Sequence, residues 1–383
     1  MLYFDGEKIE KLEKELSDFK VAENEILLVL IGEKAVLNYQ EIKKLLNKND
    51  INFFGGIFPW IIFKDHKSNQ GILFIKLPVI MEPVILPSIN KLSLYSDNLK
   101  NMKKIISEQD NPKTALILAD ARTSNLASFL DNIFDSFANS VDYIGGGAGV
   151  SEAKPCIFDN HNLYEKAAVI ILLDLSCMQG VRHGLKEIYS PLIATNTEDN
   201  IIKELNWKNA FQVYRNQVND ILNKNNDKRE ITRDEFYNVS RFFPFGIARE
   251  NEERVARDVI SVTEEDGLVC GGEIPQNAVL SLMKVNKNKL IEASGEAVKK
   301  IIKENSLKQK EFNISQKIVF DCVTRSGLLG KDYKKELSTI CHYTSKINYR
   351  NLFGVLTLGE ISSSSKGYIE FYNMTTVVGV FYE

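Results

Sequence analysis

The chain has little with which to hold a metal, a disulfide or a nucleic acid. Its four histidines stand at positions 66, 161, 183 and 342 of 383 residues. None forms a His-Glu-x-x-His pair, so a helical zinc site is not expected. The five cysteines, at 156, 177, 270, 322 and 341, are odd in number and no two are spaced as Cys-x-x-Cys. Reduced thiols fit this better than a disulfide framework. Neither sign of charge dominates: 48 basic residues against 51 acidic ones, net −3, leave no excess to neutralise phosphates, and nucleic acid is not an expected partner. Gly-x-x-x-x-Gly-Lys-Ser/Thr is absent, and the glycine string at 145–149 does not fit Gly-x-Gly-x-x-Gly ahead of a helix, so neither nucleotide fingerprint is present. No apolar run approaches bilayer length, and the opening MLYFDGEKIEKLEKEL is charged without a signal-peptide centre. A cytoplasmic protein without membrane insertion is expected.

What the chain does have is enough apolar residues, 44%, to fill one large core or two ordinary ones. The run Glu25–Gly32 is continuous and closed by glycine, as a buried strand is. After it, 39–49 carries apolar residues at 42, 45 and 46 between lysines, which is a helical period. Alternation continues with strands at 51–54, 71–77 and 114–119, helices at 91–108 and 125–138, and strands at 141–144, 155–158 and 166–175. The segment 55–60 reads as a loop. Further on, helices are expected at 207–223, 289–304 and 331–343, and strands at 254–262, 267–270, 278–285, 316–322, 352–358, 367–372 and 375–382. Three aromatic, glycine-bounded strands, at 53–56, 143–146 and 353–359, are each followed by a later apolar strand, which suggests internal duplication. The expected class is α+β: mixed β-sheets covered by helices, in two related regions at 1–205 and 206–383.

Three short patterns place small or hydrogen-bonding side chains where an apolar run breaks: Cys322-Val323-Thr324-Arg325, Gly359-Glu360-Ile361 and Asn373-Met374-Thr375. Strand ends of this kind present binding groups. With Tyr143-Ile144-Gly145-Gly146-Gly147-Ala148-Gly149, Val181-Arg182-His183-Gly184 and Val255-Ala256-Arg257-Asp258-Val259, in this order, the chain resembles the FIST family of intracellular sensory domains. It departs from the family pattern at Gly55-Gly56-Ile57-Phe58-Pro59-Trp60 and at Leu185 after the His-Gly turn. The resemblance implies a non-enzymatic cytoplasmic sensor of a small molecule such as an amino acid. Its output would be a separate signalling protein: a histidine kinase, a cyclase or a chemotaxis component. It also implies an alternative, a haem-binding nitric oxide sensor with His183 as axial ligand; otherwise no cofactor is required.

The candidate ligand-binding residues are Gly145, Gly146, Gly147, His183, Arg257, Cys322, Arg325, Gly359, Glu360, Asn373 and Thr375. Glycines 145–147 can bring backbone amides close to an anion, or can simply make a tight connection. Arg325 and Arg257 can clamp a carboxylate, or can pair with Glu360 or Asp258 to fix the fold. Glu360 can hold an ammonium, and Asn373 and Thr375 the rest of a zwitterion. Cys322 with His342 downstream raises a nucleophile reading, against a buried core thiol. The expected pocket lies between the two regions, walled by 145–149, the His183-Gly184 turn, Arg325 and Glu360.

Overall fold

The computed structural model describes residues 1–17, 19–109, 113–123, 125–150, 152, 154–249, 253–307, 313–363 and 368–383. Among them the strands form four sheets, and the α+β class read from the sequence is what the chain adopts. Three of the sheets share one plan. In each, two strands joined through a helical connection run parallel: Glu25–Gly32 with Phe53–Phe58, Lys113–Asp120 with Val141–Ala148, and Ile314–Cys322 with Leu352–Thr357. In each, a later strand returns antiparallel beside the first of the pair: Ile72–Pro78, Ala168–Leu173 and Thr376–Tyr382. An outer strand, Leu2–Phe4, Val84–Leu86 or Ser176–Arg182, then pairs with the returning one. We call these units one, two and three.

Each unit lacks one edge and takes it from another. The hairpin of unit one, Trp60–Phe63 with His66–Ser68, pairs with Leu352–Thr357 of unit three. The hairpin of unit two, at Ile157–Asp159, pairs with Phe53–Phe58 of unit one. The hairpin of unit three, at Glu360–Ser363, pairs with Val141–Ala148 of unit two. The exchange is therefore cyclic, and it covers sheet edges that would otherwise present unpaired backbone.

The strands read as continuous apolar runs because both faces are buried. Inward residues Leu28, Leu30, Leu116, Leu118, Ile318 and Phe320 share one central core. Outward residues pack under helices: Leu27 and Val29 with Leu12, Ile42 and Leu45, Ile117 with Leu99, Phe129 and Ile133, and Val319 with Leu290, Val298 and Leu337. The sequence echo has a steric basis in this arrangement. Gly55, Gly145 and Gly354 stand opposite Val29, Ile117 and Val319. A Cβ at these glycines would fall 1.8, 1.8 and 1.9 Å from those partners' carbonyl oxygens, so the close strand approach excludes any side chain there.

Residues 186–284 interrupt unit three as an insert with its own sheet and its own core, including Leu192, Phe211, Tyr214, Phe245, Leu268 and Leu282. The division expected at 205/206 falls inside this insert. Ladders also cross it, as where Lys186–Glu198 pairs with Val279–Lys284 and Ser176–Arg182 with Thr376–Tyr382. Units and insert describe how the sheets are arranged. Two local expectations are corrected. The segments 55–58 and 145–148, read as loops, are strand, because glycine here serves packing rather than turning. The strand Lys186–Glu198 and the helix Val323–Leu329 were not expected; the first is polar and contains Pro191, the second is only about two turns long. The strand read at 367–372 is found as Ile369–Tyr372, and Gly367 lies outside the described residues. Among the described residues no helix is long and apolar enough to cross a membrane.

Candidate functional site

Where the insert meets units two and three, a cavity of about 680 Å³ opens, within the range of small-molecule sites. Its first wall follows the strand Lys113–Asp120. The Asp120 carboxylate accepts from the Arg122 N–H at 3.1 Å and the Lys166 N–H at 2.7 Å. This fixes the turn that carries Arg122 and Thr123 to the helix Leu126–Phe137. Among the described residues the Thr123 hydroxyl has no partner.

The second wall belongs to the insert. Asp258 is buried, and its Oδ2 accepts from the Tyr237 hydroxyl at 3.1 Å and the Thr324 hydroxyl at 3.0 Å. Among the described residues its Oδ1 accepts no hydrogen bond of good geometry, though the Val259 N–H lies near the carboxylate. Burial pushes the Asp258 carboxyl up to about 6, against the pull of the two hydroxyls. Glu273 reaches out of the insert to the helix of unit two, where Oε2 accepts from the Ser128 N–H and hydroxyl, both at 3.1 Å. Its Oε1 is unpaired, and burial raises this carboxyl as well.

The third wall is Cys322–Thr324 of unit three with Asn373. The Asn373 amide donates to the carbonyls of Gly271 at 3.3 Å and Tyr372 at 3.1 Å, leaving Oδ1 unpaired. Four residues lining one cavity, Thr123, Asp258, Glu273 and Asn373, thus each keep a buried oxygen without a partner. Such atoms cost on the order of 1–3 kcal/mol each if nothing ever pairs with them. The wall chemistry is acceptor-rich, with Asp199, Asp258 and Glu273 facing the single guanidinium of Arg122.

Of the residues expected from the sequence, Cys322 and Asn373 line the cavity. Burial raises the Cys322 thiol well above its usual range, which suits a core thiol rather than a nucleophile. His342 lines a separate groove, so the two are not brought together. Arg257 lies just behind the wall. Its guanidinium donates to the carbonyls of Phe371 at 2.7 Å, Ala256 at 3.1 Å and Glu273 at 3.2 Å, tying the hairpin of unit three to the insert.

The others stand elsewhere. Gly145, Gly146 and Gly147 lie within a central strand, and their amides serve its ladders rather than an open loop. Arg325 is wholly buried and fully used. It donates to Glu336 Oε1 at 3.1 and 2.5 Å, to the His183 carbonyl at 2.6 Å, to the Met374 carbonyl at 3.1 Å and to the Leu290 carbonyl at 2.9 Å. Asp321 stands 3.4 Å away. Arg325 is thus held within the fold, by Glu336 rather than by the Glu360 or Asp258 considered from the sequence. Glu360, also buried, accepts from the Thr357 hydroxyl at 2.7 Å and the Thr375 N–H at 3.2 Å. The Thr375 hydroxyl is spent on the Asn373 carbonyl at 2.8 Å. Gly359 takes a φ of 133°, with the Phe371 ring filling the space a Cβ would need.

His183 does not fit the axial-ligand role. Its Nδ1 accepts the Leu185 N–H at 2.8 Å, and burial lowers its pKa to about 3, so the ring is neutral with its proton on Nε2. That nitrogen faces Glu253 at 3.5 Å. Iron needs a lone pair there, and this tautomer offers none. Among the described residues no His, Cys, Asp and Glu cluster of metal-binding size occurs.

The cavity residues that the sequence reading missed are Thr123, Tyr237, Asp258 and Glu273. Asp258 sits within the Arg-Asp segment already singled out, beside the residue that was chosen. For the other three no sequence signal was present.

Fold and cavity define an α+β protein whose units enclose an acceptor-rich chamber at their junction. The sequence matches the FIST N domain over 79–208 and the FIST C domain over 210–363, together most of its length, and the chain belongs to the FIST family. FIST domains are sensory domains of signal transduction. A search of curated proteins finds no match to this chain.

Proposed function

We propose that this FIST protein is a non-enzymatic cytoplasmic sensor that binds an amino acid or a similar amine-bearing molecule in the chamber between units two, three and the insert. The observation that carries this is the set of four buried, unpaired oxygens on residues of one cavity. A ligand that brings N–H donors removes their desolvation cost, and an ammonium gains most at Asp258 and Glu273. Arg122 supplies a carboxylate partner on the unit-two wall. Because the walls come from separate units, a ligand that bridges them favours one arrangement of the insert over another. That differential affinity is what a signalling partner such as a histidine kinase, cyclase or chemotaxis component would read.

Titration calorimetry with a panel of amino acids and simple amines tests the reading. Saturable binding of at least one, weakened in Asp258→Asn and in Arg122→Ala, is expected. Binding that neither substitution affects, or silence across the panel from folded protein, overturns it.

A further inference from the structure

A second concave site lies on the seam between units one and three and shares no lining residue with the chamber. The hairpin tip of unit one, Lys64-Asp65, stands there against the end of the helix Tyr333–Ser345 and the loop that follows it, forming a groove of about 390 Å³. Its charged lining is Lys64, Lys317 and Arg350 against Asp65 alone, and Asp65 is already engaged with His66 at 2.5 Å.

Lys317 is the unusual member. Only 2% of it is exposed, and its ammonium donates to the carbonyls of Thr344 at 3.3 Å and Asn348 at 3.0 Å. These carbonyls close the helix end, but they are neutral, and they use two of the three ammonium protons. No ion pair joins Lys317 to any described carboxylate. The negative end of the helix dipole favours this ammonium but supplies no full counter-charge, and the ammonium forms part of a groove wall beside two further cations.

The repeated plan of the fold supplies a control. The equivalent seam between the hairpin tip of unit two and unit one is closed by Asn160, which bonds Asn47, the Ile51 carbonyl and the Phe53 N–H. Lys43 there is spent on the carbonyl of His161. The unit-three hairpin tip, 364–367, lies outside the described residues. The same junction is thus tied by amide hydrogen bonds, with its lysine engaged, in one place and is a groove lined by three cations in the other.

We propose that the groove between Lys64, Lys317 and Arg350 binds the phosphate group of a small phosphorylated molecule, as a second ligand site of the protein. Three cations suit a multiply charged group; a monocarboxylate would answer only one of them. The exposed ring of Tyr349 at the rim offers a flat face to whatever carries the phosphate.

Calorimetry on the full chain at low ionic strength, in phosphate-free buffer, decides it with pyrophosphate, AMP and citrate as probes. Saturable binding of pyrophosphate and AMP is expected, weakening with added salt. Arg350→Glu and Lys64→Glu, both at exposed positions, should each weaken it about tenfold, equivalent to about 1.4 kcal/mol. Lys317→Met should abolish it where the variant folds; the two surface variants carry the test where it does not. Absence of saturable phosphate binding, indifference to both charge reversals, or citrate bound more tightly than either phosphate probe would overturn the proposal.

Discussion

Two buried polar clusters sit side by side in this protein and are built on opposite terms. Around Arg325, five donor contacts run to Glu336 and to three carbonyls, while Tyr333 and Thr376 donate to Asp321 at 2.6 and 2.7 Å, although Glu336 Oε2 has no partner among the described residues. Around Asp258, two hydroxyls hold one oxygen and leave the other free. The first cluster joins strand, helix and the returning strand of unit three into one body. The second keeps acceptors in reserve on the wall of a chamber. Partners within the fold contribute rigidity, whereas unpaired acceptors that line a cavity are accessible to a ligand.

The contrast can be broken most directly at Arg325. Arg325→Ala strands Glu336 and Asp321 without their counter-ion in the interior and should cost on the order of 3–5 kcal/mol of stability, read as a lowered midpoint of urea unfolding. Loss of ligand affinity with unchanged stability would reverse the assignment of the two clusters. Next in size is Asp258→Asn. It should weaken an amine ligand by about 2–5 kcal/mol without lowering the unfolding midpoint at neutral pH, where the wild type carries the cost of an ionised buried Asp258.

The pH dependence sharpens the same comparison. Asp258 titrates near 6 in the folded chain, above the ordinary carboxylate range of about 3.9. Its contribution to stability is therefore present below the unfolded value and is lost as pH rises through 6. Unfolding midpoints of the ligand-free protein should fall between pH 4 and 6, less steeply in Asp258→Asn, and affinity for an amine should rise over the same interval as the carboxylate ionises. Glu336, held near 7 chiefly by burial, acts in the same direction, so the difference between wild type and Asp258→Asn is the informative quantity. The smallest effect is expected for Thr123→Val. Removing a hydroxyl that has no partner should change stability by less than about 1 kcal/mol, in either direction, and a drop above 3 kcal/mol in thermal or urea unfolding would show that the hydroxyl is bonded after all.

Much of the body was legible. The apolar runs at 25–32, 114–119 and 352–358 became central strands, and the helical periods at 39–49, 125–138 and 331–343 became their covering helices. Local pattern suffices for these because a strand buried on both faces and a helix buried on one leave different apolar periods. The family motifs were legible for the same reason, being short and contiguous. The roles within them were not. Arg257 and Asp258 are neighbours, as are Thr324 and Arg325, and in both pairs the arginine is bound into the fold while its neighbour reaches the chamber.

What the amino-acid sequence determined by itself is therefore the set of elements, the α+β class and the membership of a sensory family. Only the tertiary structure decided that unit-to-unit exchange of hairpins closes the sheets, that glycines 145–147 lie in a packed strand, and that Asp258 rather than Arg325 faces a cavity. The physical reason is that a side chain's period along the chain is set locally, whereas whether its hydrogen-bonding capacity is filled depends on partners from distant segments. Arg325 is satisfied by residues 183, 290, 336 and 374, and no such partners reach the chamber oxygens among the described residues.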